Sequence, residues 1–152
     1  MGIKNHKGKD TISKQAIERR ESCTASAMTV VFSFHHLSEK EDYNFRYFEK
    51  KAKKAEASNA IVQFIEKIAE FSKMTWEQLY QLPKKSGLEY LDAAIFEESF
   101  INSINIPIAK DDKLIVVRFN GQNSRFVMKR GTKCSRVAHI LGIDYDMKLY
   151  NH

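Results

Sequence analysis

Leu114-Ile115-Val116-Val117-Arg118-Phe119 is followed by Asn120-Gly121, then by Ser124-Arg125-Phe126-Val127-Met128-Lys129-Arg130, Gly131 and Arg136-Val137-Ala138-His139-Ile140-Leu141-Gly142-Ile143. The first run is dense in β-branched residues, which suit a pleated, half-buried surface. Asn120-Gly121 signals a hairpin, because a type I′ turn needs positive φ at both central positions. Ser124 to Arg130 is then the return strand. Gly131 marks a second turn, and Arg136 to Ile143 is a third strand. The expected unit is an antiparallel meander. Upstream, Val30 to Leu37 has the aromatic and β-branched content of a first strand.

Between that strand and the meander the hydrophobic period changes. Phe45 to Lys54 is basic, with aromatic residues at its start, and Ile61, Phe64, Ile65, Ile68 and Phe71 recur at helical spacing. The stripe predicts a helix with one face on a core. Thr75 with Gln78 three residues later matches a capping box. It opens a short helix with Trp76, Leu79 and Leu82 on its buried side, and Pro83 and Gly87 stop it. Residues 88–108 fit two patterns: Leu91, Ile95 and Phe96 suit a helical turn, whereas Ile104, Ile106 and Ile108 alternate like an extended segment. The sum is an α+β domain over residues 29–152: an antiparallel sheet of about four strands with two or three helices packed on one face.

Composition agrees with a globular domain. The chain has 152 residues, of which 43% are hydrophobic and 29% charged, which excludes a wholly disordered or collagen-like chain. Twenty-five Lys+Arg against 19 Asp+Glu give a formal charge of +6, suited to an anionic partner. Residues 1–28 carry Lys4, Lys7, Lys9, Lys14, Arg19 and Arg20 and few large apolar side chains, so a mobile basic arm is expected there. No apolar run is long enough to span a membrane. Cys23 and Cys134 are far apart and lack CxxC spacing, which predicts no disulfide framework and a reducing compartment. MGIKNHKGKD has no apolar core for a secretory signal, and His6 stands where a myristoylation signal has Ser or Thr. A cytoplasmic protein without a membrane partner is expected.

Alternation sorts the hairpin into two faces. Ile115, Val117, Phe119, Phe126 and Met128 form the core face, and Leu114, Val116, Arg118, Arg125, Val127 and Lys129 the other. Arg118 and Arg125 share a face for either a two- or a four-residue loop. Like charges side by side across strands are unfavourable unless an anion or an acidic group sits with them. Arginine suits bidentate phosphate contact, so the pair is a candidate phosphate clamp, or else pairs with acidic neighbours. Lys129, Arg130, Lys133 and Arg136 are further candidate nucleic-acid contacts. His139 alternates with Val137 and Leu141, and its face depends on the length of the turn after Arg130. If it joins Arg125, imidazole and guanidinium make an acid–base group beside an anion clamp. Tyr150 with Leu149 anchors the terminal segment to the core. His35-His36 has no partners at zinc-site spacing, Asp144 and Asp146 alone do not specify a cation, and no phosphate-binding glycine loop occurs. Neither metal nor cofactor is expected.

The segments Val116–Asn120 (VVRFN), Ser124–Gly131 (SRFVMKRG) and Ser135–Asp144 (SRVAHILGID) resemble the C-terminal meander of RelE/HigB-type toxins. The resemblance implies helices preceding an antiparallel sheet, and mRNA endonuclease activity, ribosome-dependent or free, through Arg, Lys, Tyr or His side chains on that sheet. It also implies neutralisation by an antitoxin. Arg118 and Arg125 fall where strand arginines of such toxins lie, and His139 and Tyr150 match more loosely. The chain departs from the pattern in its length, its N-terminal arm and its long 75–112 connection. The ending IDYDMKLYNH also resembles that of small proteins of bacterial mobile elements and phages, which implies no activity.

Two functions are therefore expected in parallel. The first is a toxin-like endoribonuclease of a toxin–antitoxin or mobile-element system. Arg118 and Arg125 would hold a phosphate, His139 or Tyr150 would move protons, and RNA or the ribosome and an antitoxin would be the partners. The alternative is a non-catalytic phage or mobile-element protein whose meander face binds a host protein or nucleic acid. A plain DNA-binding module lacks a recognition helix.

Overall fold

The computed structural model describes residues 28–50 and 54–150. The arm expected at the N-terminus lies outside these residues except for Met28, as does His152. Among the described residues five strands form one sheet: β1 (Val31–Ser33), β2 (Leu88–Asp92), β3 (Lys113–Phe119), β4 (Ser124–Arg130) and β5 (Val137–Asp144). The α-helices are α1 (Arg46–Lys50), α2 (Lys54–Phe71), α3 (Trp76–Tyr80) and α4 (Glu98–Asn102). Two 3-10 turns, Glu41–Tyr43 and Ala93–Ile95, complete the set.

The α+β class stands, but the sheet is mixed. Its order is β1-β5-β4-β3-β2. The strands from β2 to β5 pair antiparallel, while β1 lies parallel to β5 at the opposite edge from β2. β1 is also shorter than its composition predicts. After Ser33 the chain turns, with the Leu37 N–H donating to the Phe34 carbonyl, so His35 and His36 stand in a turn and not on a strand. The β3–β4 hairpin pairs Phe119 with Ser124 around a four-residue loop, in which Asn120 (φ 52°), Gly121 (φ 61°) and Gln122 (φ 75°) are left-handed. That length keeps Arg118 opposite Arg125, as alternation requires.

The sheet is covered on two faces, not one. Ile115, Val117, Phe119, Phe126 and Met128 are buried, as expected, beneath Ala57, Ala60, Phe64 and Phe71 of α2 and Trp76 and Leu79 of α3. Ile65, placed on the helix stripe by periodicity, is exposed; small Ala57 and Ala60 take the contact line instead. Thr75 caps α3 through the full capping box with Gln78. The other face of the sheet is not open. Leu114, Val116, Val127 and Leu141 are buried there against Phe96, Phe100, Ile104, Tyr43 and Leu149. Helices and loops thus cover both faces.

Gly142 shows how closely this second layer sits. A Cβ on Gly142 would lie 2.4 Å from Phe100 Cε2, so the ring packs directly on backbone. Opposite Val127 the β4–β5 register shifts by one residue, a bulge that places both Leu141 and Gly142 toward the second layer.

Candidate functional site

Arg125 is no phosphate clamp. Its side chain is fully buried, and its Nε donates to Asp144 Oδ2 at 2.7 Å. Its Nη2 donates to the Tyr150 carbonyl at 3.3 Å, and the guanidinium carbon lies 3.6 Å from the centre of the Tyr150 ring. Asp144 accepts in turn from the backbone N–H groups of Lys148 and Leu149. The cation therefore pins the C-terminal turn onto the sheet and cannot reach an external anion. Arg118 is its half-buried cross-strand neighbour, so the two guanidiniums do share a face, with Asp144 on the other side of Arg125.

Tyr150, like Arg125, has a structural place and not a catalytic one. It anchors the terminal segment, as its pairing with Leu149 suggested, and its ring is committed to Arg125 and Phe96. Burial raises its phenol pKa, against the opposing pull of Arg125, so it is poorly placed to move protons near neutral pH.

His139 pairs with Lys129, while Arg125 pairs with Asp144. The turn length therefore puts His139 on the face of Arg125 but four residues along β4 from it, and the two side chains serve opposite ends of the sheet. At its own end His139 meets a partner that strand alternation concealed: the His36 and His139 ring centres are 4.9 Å apart. His35 stacks edge-on against His36 at 4.6 Å. His36 Nδ1 donates to Asn105 Oδ1 at 2.5 Å, which fixes the ring and leaves Nε2 as its other polar atom. His139 Nδ1 is buried without a hydrogen-bond partner among the described residues. Its Nε2 lies beside Gly131, 3.4 Å from where a Cβ would stand. Burial, and then the proximity of His36 and His35, holds the His139 imidazole below its ordinary pKa.

His36 and His139 line a groove of about 540 Å³ at this end of the sheet. Ile106 and Pro107 form one wall and the β4–β5 loop the other, with Lys129, Arg130 and Lys133 among the lining residues. Lys133 is exposed. Lys129 Nζ lies 2.7 Å from Asp112 Oδ2 and is partly neutralised, and this contact with the Ala109 N–H holds the Asp112 carboxyl below its ordinary range. Arg130 is braced by hydrogen bonds from Nε to the Ser135 carbonyl and from Nη1 to the Tyr80 hydroxyl. Arg136 is spent locally, its Nε donating to the Thr29 carbonyl just before β1. Of the predicted nucleic-acid contacts, Lys129, Arg130 and Lys133 thus gather in the groove with His139. Arg118 lies at the far end of the sheet, and Arg136 is tied to backbone.

His36 and Asn105 are the site residues that sequence reasoning missed. The only available signal was His35-His36 itself, which periodicity laid along a strand. Among the described residues no three His, Cys, Asp or Glu side chains are arranged to hold a metal ion, and no helix is long and apolar enough to cross a membrane. Comparison with protein-family models, curated proteins and solved structures returns no match to this chain.

Proposed function

We propose that the protein is an RNA-binding endoribonuclease of the toxin-like or mobile-element kind, acting in the groove between His36 and His139. The observation that supports this is the contact of the two imidazoles, 4.9 Å between centres, in a groove rimmed by Lys129, Arg130 and Lys133. Two imidazoles beside cations supply what phosphodiester transfer needs: a base, an acid and positive charge for the phosphorane.

The chemistry requires no co-reactant. His139, kept neutral by burial, accepts the proton of a ribose 2′-OH. The 2′-oxygen bonds to the adjacent phosphorus, and the bond from phosphorus to the 5′-oxygen breaks. His36, held through Nδ1 by Asn105, gives a proton to that leaving oxygen from Nε2. The products are a 2′,3′-cyclic phosphate and a free 5′-hydroxyl. Lys133 and Lys129 draw the phosphate in and oppose its growing charge.

The test is incubation of the purified full chain with labelled single-stranded RNA in the presence of a chelator. Cyclic-phosphate ends should form, and His36→Asn and His139→Asn should each slow the reaction by about a hundredfold or more. RNA that is bound but left intact would favour the non-catalytic alternative, an interaction protein. That alternative draws support from β1, an edge strand whose Val31, like the nearby Phe34, is exposed. Harmless expression in a bacterial host, with intact cellular RNA, would count against the toxin.

A further inference from the structure

Beside the groove, on the opposite face of the same sheet end, two large aromatic rings are left in solvent. Tyr80 closes α3 and is 46% exposed; Tyr90 lies on β2 and is 45% exposed. Their ring centres are 5.9 Å apart. Tyrosines that served only the core would turn their rings inward, as Trp76 does one helical turn before Tyr80. Arg130 joins this pair to the groove: it lines the groove, its Nη1 donates to the Tyr80 hydroxyl at 2.8 Å, and its guanidinium carbon stands 4.9 Å from the centre of the Trp76 ring. Arg130 thus stands between the groove and the two rings, its guanidinium turned to the side of the rings, and Lys113 adds a further exposed cation at the same end of the sheet, paired with Asp92.

From this juxtaposition we infer that Tyr80 and Tyr90 form a base-stacking shelf, so that the RNA taken by the groove is single-stranded, with unpaired bases next to the bound phosphates. The inference rests on the reading of the groove as an RNA site and adds the class of RNA. Duplex RNA hides its base faces and presents only backbone and groove edges, whereas an unpaired base offers a π-face to an aromatic ring whatever its identity. Positive charge alone would serve both forms. The shelf distinguishes them, and sequence-tolerant selection of unpaired RNA follows.

The experiment is fluorescence anisotropy of the full chain with three labelled ligands of equal length, all carrying 2′-O-methyl riboses so that the blocked nucleophile prevents cleavage. They are a single strand, a duplex of the same sequence and an abasic strand. The single strand should bind tightest. Tyr80→Ala and Tyr90→Ala should each weaken it by about tenfold and leave duplex and abasic binding within about twofold. Tyr80→Phe keeps the ring and should bind like the parent, which separates stacking from the lost Arg130 hydrogen bond. Lys133→Glu should weaken all three ligands. If Lys133→Glu weakens binding while both alanine variants leave the single strand unaffected, the shelf is overturned and the groove stands. If Lys133→Glu changes nothing, the groove itself is not the RNA site. Tight binding of an unrelated protein partner lost in Tyr90→Ala, with no RNA bound, would overturn both.

Discussion

The guanidinium of Arg125 and the carboxylate of Asp144 meet at 2.7 Å on neighbouring strands, in a place from which solvent is excluded. Around them the Tyr150 ring, the Tyr150 carbonyl and two backbone N–H groups add further partners to the two charges. A pair so enclosed is structural, and its removal has a defined cost.

Arg125→Ala should destabilise the fold by about 3–5 kcal/mol, because it strands a buried carboxylate. Replacing both partners with apolar residues, Arg125→Met with Asp144→Leu, should cost much less than the single change. Urea unfolding checks both, and equal losses in the single and double variants would contradict the assignment.

The half-buried His139 makes stability depend on pH in a predictable direction. Its folded pKa lies below the ordinary value of 6.5, so below that value the unfolded chain binds more protons than the folded one. The contribution is complete above about pH 7 and is lost as pH falls from there through the folded value. Glu97 and Asp112, whose carboxyls are also lowered, act only below their ordinary values of 4.5 and 3.8 and leave this window clear. The urea midpoint should fall between about pH 7.5 and about pH 5, and His139→Asn should flatten that fall.

Gly142→Ala drives a methyl into the Phe100 ring and should cost about 1–3 kcal/mol. Phe100→Leu in the same chain should recover part of that loss, since the obstacle is one side chain and not backbone. Thermal unfolding of the two single variants and the double variant measures the coupling.

Thr75→Ala removes the side-chain half of the α3 cap and should cost about 1 kcal/mol. The loss should appear in chemical denaturation with no change in RNA affinity, because Thr75 lies outside the groove.

The hairpin and the first core were legible because local rules decide them. Asn120-Gly121 announces the turn, and alternation alone places Ile115, Val117, Phe126 and Met128 together. Thr75 and Gln78 name their cap outright. The parallel pairing of β1 with β5 was hidden, since it joins residues about a hundred positions apart and no local pattern encodes it. The second layer was hidden for a related reason: Phe96, Phe100 and Ile104 lie on an irregular path, so no period reports the face they cover. Without that layer Arg125 reads as a surface cation. Asp144 lies one residue beyond the expected third strand, and only the β4–β5 register with its bulge sets it opposite Arg125. The site suffered most from the end of β1. Turning the chain after Ser33 carries His36 beneath His139, a juxtaposition that strand alternation over Val30 to Leu37 does not contain.

The groove account is tested most directly by nuclear magnetic resonance titration of the full chain with an uncleavable single-stranded RNA, following the imidazole and backbone signals. His36, His139, Gly131 and Lys133 should shift together and saturate at one ligand concentration, while signals around Arg118 stay still. Perturbations gathered around Arg118, or none at the two histidines with RNA in excess, would contradict it.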